Sequence, residues 1–158
     1  MGTPSDPRPV DNCRIPLDLH YDIPNHVWVR PEGGELYTAG ITDVGQTLAG
    51  ELLYCEPKPP GTEVAVGKAL ALIESGKSIW PVRCPVAGTI VEANNQAAER
   101  PTAINADPYG EGWIVRLRAP DLAERLGTLT TGDAALEQYR LFMEDIGFGD
   151  CVPYPPKF

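Results

Sequence analysis

No stretch of this 158-residue chain approaches the run of about eighteen apolar residues that a membrane-spanning helix needs. The opening residues, MGTPSDPRPVDNCR, lack the apolar core of a signal peptide, so the expected location is the cytoplasm and no membrane partner is expected. Positive charge is scarce as well. Thirteen lysines and arginines stand against twenty-two acidic residues, and the formal charge of −9 repels phosphate backbones, which excludes nucleic acid as a partner class. Histidine occurs only at His20 and His26, too few for a catalytic or metal cluster, and a structural or surface role is expected for both. Cys13, Cys55, Cys84 and Cys151 form no C-x-x-C pair and have no histidines clustered near them, which argues against zinc. In a cytoplasmic chain all four are expected as thiols.

What the chain has in quantity is turn chemistry. Seventeen prolines and sixteen glycines imply many short strands, while 42% hydrophobic and 22% charged residues are ordinary for a globular domain. The expected fold class is mainly β in one domain. Residues 1–16, with four prolines and little apolar patterning, read as a flexible lead-in, 17–146 as the folded domain, and 147–158 as a Pro-rich tail that folds back or stays mobile.

Within the domain, Tyr21 to Arg30 reads as a strand that turns through Glu32–Glu35 into Leu36 to Thr42. Thr42-Asp43 is placed to cap a short helix that Gly50 ends, and Leu52–Tyr54 resumes as strand. The EPKPPG segment at 56–61 reads as a surface connection, because its prolines remove ladder donors. Beyond a strand at Thr89–Ala93, Asn95–Arg100 reads as a loop and 101–112 as turns. Trp113, Val115 and Leu117 fall on one face of a last strand, with Arg116 on the other. Pro120–Leu126 is a short helix candidate, and Asp133–Ile146 a better one, with a core stripe of Leu136, Tyr139, Phe142, Met143 and Ile146.

The chain is organised around the stretch from Gly67 to Asn94. Ala69–Ile73 is a short apolar strand, Glu74-Ser75-Gly76-Lys77 reverses it, and Ile79, Trp80 and Val82 return, with Pro81 marking the return strand as an edge or an irregular one. Gly67–Glu74 and Gly88–Asn94 repeat faintly, each running from glycine through an apolar strand to a polar turn, and suggest two halves paired about a pseudo-two-fold axis. Lys77 at the hairpin tip projects a flexible amine into solvent, where another protein can modify it. The segment ALIESGKS at 71–78 also satisfies a loosened phosphate-loop pattern. Leu72, Ile73 and Glu74 are wrong for a phosphate cradle, however, and Pro81 and Pro85 prevent the helix that should follow.

These residues resemble the glycine-cleavage H protein family. The hairpin Glu74-Ser75-Gly76-Lys77 is followed by Cys84-Pro85-Val86-Ala87-Gly88 and the turn at Asn94. His26-Val27-Trp28 is similar to the family's His-x-Trp strand, Gly40-Ile41-Thr42 to its Gly-Ile-Thr strand end, and Asn105 to Trp113 to its Asn-x-x-Pro-Tyr-x-x-Gly-Trp signature. The resemblance runs from about Tyr21 to Ile146. It implies a flattened lipoyl/biotinyl-type barrel, a barrel-sandwich hybrid with short C-terminal helices. It also implies a carrier that catalyses nothing, with lipoate amide-linked to Lys77 on a turn made with Ser75 and Gly76, and Glu74 as the mark read by a lipoate ligase or lipoyl-assembly enzymes. Dihydrolipoamide dehydrogenase is a further implied partner. Biotin carriers display methionine beside their lysine, where Gly76 and Ser78 stand here.

Departures bear on the pathway. Val27 replaces the family's usual glutamate, associated with holding an aminomethyl-loaded arm, and Gly76 and Trp80-Pro81 flank the lysine unusually. In these features the hairpin resembles the divergent lipoate-binding proteins of the heterodisulfide-reductase-like sulfur-oxidation system. The first expectation is therefore an arm that carries sulfur-bound intermediates to that complex; Cys84 and Cys151 offer thiols that could assist such sulfur traffic, but the expectation for both is buried or incidental thiols. The alternatives are an H protein serving the glycine cleavage enzymes and an unlipoylated binding module of the same fold.

Overall fold

The structure is a computed structural model that describes residues 8–10 and 12–155. Twelve strands and five helices are defined among them. A hairpin of β1 (Arg8–Val10) and β2 (Cys13–Ile15) leads into β3 (His20–Asp22) and a 3₁₀ turn at Ile23–Asn25. Then come β4 (Val27–Gly33), β5 (Leu36–Ile41), α1 (Asp43–Ala49), β6 (Leu52–Pro57), β7 (Glu63–Val64), β8 (Ala69–Ser75), β9 (Ile79–Arg83) and β10 (Gly88–Ala93). The chain continues through α2 (Asn95–Glu99), α3 (Thr102–Ala106), β11 (Val115–Arg118), α4 (Leu122–Arg125), a 3₁₀ turn at Leu126–Thr128, β12 (Thr130–Thr131) and α5 (Gly132–Asp145). No helix among the described residues is long and apolar enough to cross a membrane.

A seven-stranded sheet in the order β12-β3-β4-β5-β11-β10-β7 faces a three-stranded sheet in the order β6-β8-β9. Both contribute to one apolar core that includes Val29, Ala39, Leu70, Ile73, Val82 and Ile90. This is the flattened, open barrel-sandwich the sequence implied. The two glycine-led pieces of the faint repeat lie in different sheets, β8 in the small one and β10 in the large one, and are not hydrogen-bonded neighbours. Of the two options Pro81 left open, β9 takes the edge: it pairs only with β8 among the described residues. A second apolar cluster fills the space beneath α5, where Tyr139 and Met143 meet Ile15, Tyr21 and Trp28.

Several local expectations are corrected. The strand foreseen from Tyr21 to Arg30 is broken at Pro24 by a 3₁₀ turn, and His26 takes a left-handed conformation (φ 59°) before β4 begins. Asn95–Arg100 and part of 101–112 are helical: Asn94 caps α2 by accepting from the amides of Gln96 and Ala97, while its own amide group donates to the Glu111 and Trp113 carbonyls. Trp113 precedes β11, and its ring lies 4.2 Å from the Arg116 guanidinium, so it is not on the Val115–Leu117 core face. Glu56 and Pro57 belong to β6, which extends further than Tyr54. On α5, Ile146 falls outside the helix and is exposed.

The largest correction is at the two ends of the domain. Cys13 and Cys151 form a disulfide across 138 residues of sequence, so they are not thiols. Cys13 and Ile15 are fully buried, which removes the last residues of the supposed lead-in from any flexible segment; residues 1–7 lie outside the described region. Cys151–Tyr154 is correspondingly folded back onto α1: the Val152 amide donates to Thr47 Oγ1 at 3.0 Å and the Gln46 side chain donates to the Val152 carbonyl at 2.9 Å.

Candidate functional site

The β8–β9 turn brings Glu74, Ser75, Gly76 and Lys77 together. Ser75 organises it. Its backbone amide donates to the Ser78 carbonyl at 2.9 Å, and its nearly buried hydroxyl oxygen accepts from the amides of Lys77 and Ser78, each at 3.2 Å. A short side chain that accepts from amides two and three residues on closes the turn locally, and its geometry then depends little on the rest of the molecule. Ser75 is thus spent on the turn and does not face outward. Gly76 sits in open space, with no described atom within 4 Å of where a Cβ would be, so this position admits a larger residue.

Lys77 is exposed at the apex, and its stem lies along Gly50, the C-cap of α1. Gly50 has φ 89° and ψ −173°, a conformation nearly reserved for glycine, and a Cβ there would stand 3.1 Å from Lys77 Cε. Beside the stem is a cleft of about 210 Å³ with Thr47, Glu51, Asn105, Val152 and Tyr154 in its walls. The carboxylate of Glu74 points the other way, onto the outer face of the small sheet, where register sets it between Tyr54 and Ile79. That face is apolar for an exposed surface, with Ile79 69% accessible, and Glu74 has no ion-pair or hydrogen-bond partner among the described residues.

The floor of the cleft is a buried polar network. Asn105 accepts from the Leu52 amide and donates to Gln46 Oε1 and the Gly50 carbonyl, all at 2.9 Å. Gln46 donates onward to Asp43 Oδ1 at 2.8 Å, and Asp43 Oδ2 accepts from the Arg14 amide at 2.9 Å. Tyr109 joins in through its hydroxyl, which donates to the Arg14 carbonyl and accepts from the Asp43 amide. Buried amides and carboxylates of this kind are tolerated because each finds its partners. Asn105, Pro108 and Tyr109 of the Asn-x-x-Pro-Tyr stretch therefore act as structural ties, Pro108 by accepting from the Trp28 indole at 2.9 Å. Gly40 is explained by the same indole: a Cβ at residue 40 would meet the Trp28 ring at 2.7 Å.

His26 is buried among Tyr139, Phe142 and Trp80, and burial pushes its imidazole down to about 4. The structural role expected of it is what the contacts show. Cys84 is sealed in the core, where its thiol donates to the Val86 carbonyl at 3.1 Å and burial raises its pKa, and burial pushes the Cys55 thiol up to about 12. Neither can serve as a nucleophile at the hairpin tip, and Cys151 is committed to its disulfide.

Lys77, Glu74, Ser75 and Gly76 stand out as candidates in the sequence pattern, whereas the cleft beside them does not. Gly50 carried a signal as a helix stop, and Asn105 as a motif residue. Nothing in the sequence pattern placed Val152 or Tyr154 beside a lysine 75 or more residues away.

The glycine cleavage H-protein family model matches residues 19–144. The chain is 41% identical over 140 residues to glycine cleavage system H protein 2 of Aquifex aeolicus, covering 87% of each chain. It is 46% identical over 136 residues to H protein 3 of the same organism, covering 84% of each. The crystal structure of a glycine cleavage system H protein from Mycobacterium marinum superposes with a TM-score of 0.69 at 29% identity, over 79% of this chain and 98% of that one. By sequence and by fold the chain belongs to the glycine cleavage H-protein family, whose members are lipoyl carriers and not catalysts.

Proposed function

We propose that Lys77 carries lipoate in amide linkage and that the protein serves the enzymes of glycine cleavage as their swinging-arm carrier. The observation that carries this reading is the exposed lysine at the apex of a turn fixed by Ser75, on a domain that matches the H-protein family along most of its length. The residues present suit the group. The apex is open at Gly76, and the amine stands on a rigid two-strand support that an attaching enzyme can approach. When bound, the dithiolane supplies reversible disulfide–dithiol chemistry. The chain's own part is positional: the fixed turn holds the arm's root, so that a docked partner meets the arm at high effective concentration.

Glu74 is the recognition mark in this reading. An unpaired carboxylate between Tyr54 and Ile79, three residues before the lysine, offers a cationic partner side chain an anchor with apolar contacts on both sides. Lipoate ligase or lipoyl-assembly enzymes are the partners it implies, with dihydrolipoamide dehydrogenase reoxidising the arm, and the cytoplasm as the place of action.

Glycine cleavage is favoured over sulfur oxidation for two reasons. The relatives carry glycine cleavage names, and the features behind the sulfur reading have structural explanations. Val27 is fully buried in the core opposite Ile41, and Trp80 packs on His26. Cys84 and Cys151, the two thiols that reading drew on, are sealed and disulfide-bonded respectively. The test is to offer the lipoylated protein to glycine decarboxylase with glycine and labelled bicarbonate. Label exchange into glycine, lost in Lys77→Arg, supports the reading; no exchange with a fully lipoylated protein contradicts it.

A further inference from the structure

The Cys13–Cys151 disulfide has one sheltered and one approachable end. Cys13 is fully buried, with its sulfur 3.9 Å from that of Met143, whereas Cys151 lines a cavity of about 550 Å³ together with Asn12, Arg14, Asp43 and Asp150. That cavity shares Pro153 and Tyr154 with the cleft beside Lys77. The tail from Cys151 to Tyr154 is therefore a partition: one side of it meets the disulfide's cavity, the other forms a wall of the cleft along which the lysine stem lies. Apart from the disulfide, the partition is held by three bonds among the described residues. These are Val152 amide to Thr47, Gln46 to the Val152 carbonyl, and the Tyr154 hydroxyl to Glu51 at 3.2 Å. Tyr154 is half-exposed and Glu51 exposed, and an isolated hydrogen bond of this sort opens locally on its own.

We propose that Cys13–Cys151 is a redox latch, a disulfide reduced by dithiols, whose state decides whether the C-terminal partition closes the cleft at Lys77. The step balances as an ordinary two-electron exchange. A thiolate of the dithiol attacks the Cys151 sulfur, and the S–S bond breaks with the electron pair going to Cys13, which takes up a proton. The second thiol of the reagent then displaces Cys151 from the mixed disulfide. The products are two cysteine thiols and the cyclic disulfide of the reagent, with the dithiol's two protons now on the cysteine sulfurs. Attack falls on Cys151 because that residue lines the cavity and retains 6% accessibility, whereas Cys13 is fully buried. The alternative, a permanently structural bridge, fits a cytoplasmic carrier poorly, since disulfides in reducing compartments are mostly transient or redox-sensing. The inference rests on the proposed function in giving the cleft its use, as the seat of the arm's root, and in placing the carrier in a reducing compartment.

The test uses the full chain with Lys77 unmodified, as the oxidised protein and after dithiothreitol with the thiols counted by alkylation and mass. Two rates are read: hydrogen exchange at the Val152 amide, and acylation of Lys77 by a succinimidyl ester, located by peptide mass. On reduction, Val152 exchange rises by at least about tenfold and Lys77 acylation about threefold, while the β5 amides keep their protection. Cys151→Ser shows the reduced-state rates without reductant. Unchanged rates after complete reduction overturn the latch. So does a bridge that resists the dithiol under native conditions, a protein that never forms the bridge on mild oxidation, or a loss of protection that spreads to β5. None of these readouts involves lipoate, so a Lys77 that cannot be lipoylated would sink the carrier reading and leave this result standing.

Discussion

Gly50 and Lys77 are built against each other: the lysine stem occupies the space a side chain at residue 50 would need, 3.1 Å from its Cβ position. The same glycine ends α1 in a backbone conformation that other residues enter only at a cost. One residue thus stops a helix and gives the hairpin lysine its bed.

Gly50→Ala is accordingly expected to lose about 2 kcal/mol of stability from backbone strain alone. It should also shift the lysine stem and slow acylation of its amine. Thermal melting, together with a lipoylation time course, reads both effects. An alanine variant as stable as the parent would mean that the φ of 89° is not enforced.

Ser75→Ala removes the acceptor of two amides. The expected cost is small, about 1 kcal/mol or a few degrees in melting temperature, because the freed amides lie near solvent. The informative readout is local. Hydrogen exchange should quicken at the Lys77 and Ser78 amides and stay unchanged in β5.

Asn105→Ala should be far more costly, about 3 kcal/mol, because it leaves the Leu52 amide, the Gly50 carbonyl and Gln46 Oε1 without a partner in a buried setting. Chemical denaturation measures it. The cleft floor should loosen too, seen as faster exchange at the Leu52 amide.

His26 makes stability depend on pH in a defined window. Its folded pKa is about 4 against 6.5 for the free side chain, so between those values the unfolded chain binds more protons than the folded one. This contribution is fully present above pH 6.5 and is lost as the pH falls towards 4. It is on the order of 3 kcal/mol across the whole window. His20, also lowered by burial, adds in the same direction. His26→Phe should flatten the slope of unfolding free energy against pH between 6.5 and 4, and an unchanged slope would remove His26 as its source.

Much of this was legible in the residues because the relevant signals are local. Ser75 closes a turn within three residues, Thr42 and Gly50 bracket one short helix, and Pro81 marks a strand as edge or irregular. The two five-residue helices leave no trace in the pattern, because periodicity needs more than one turn to show. Trp113 departs from the strand alternation because it precedes β11, and its ring turns to Arg116 instead. Least legible was the cleft. Its far wall comes from a proline-rich tail whose place is set by a bridge between cysteines 138 residues apart, and no local pattern encodes such a pairing.

The central claim is that Lys77 is the point of lipoate attachment, and peptide-resolved mass spectrometry tests it most directly. The protein would be incubated with lipoate, ATP and a competent lipoate ligase, alongside Lys77→Arg and Glu74→Ala. The account predicts one lipoyl group per chain, located on Lys77, absent from Lys77→Arg and acquired at least about tenfold more slowly by Glu74→Ala. A chain that stays unmodified, or an adduct that persists in Lys77→Arg, would contradict it.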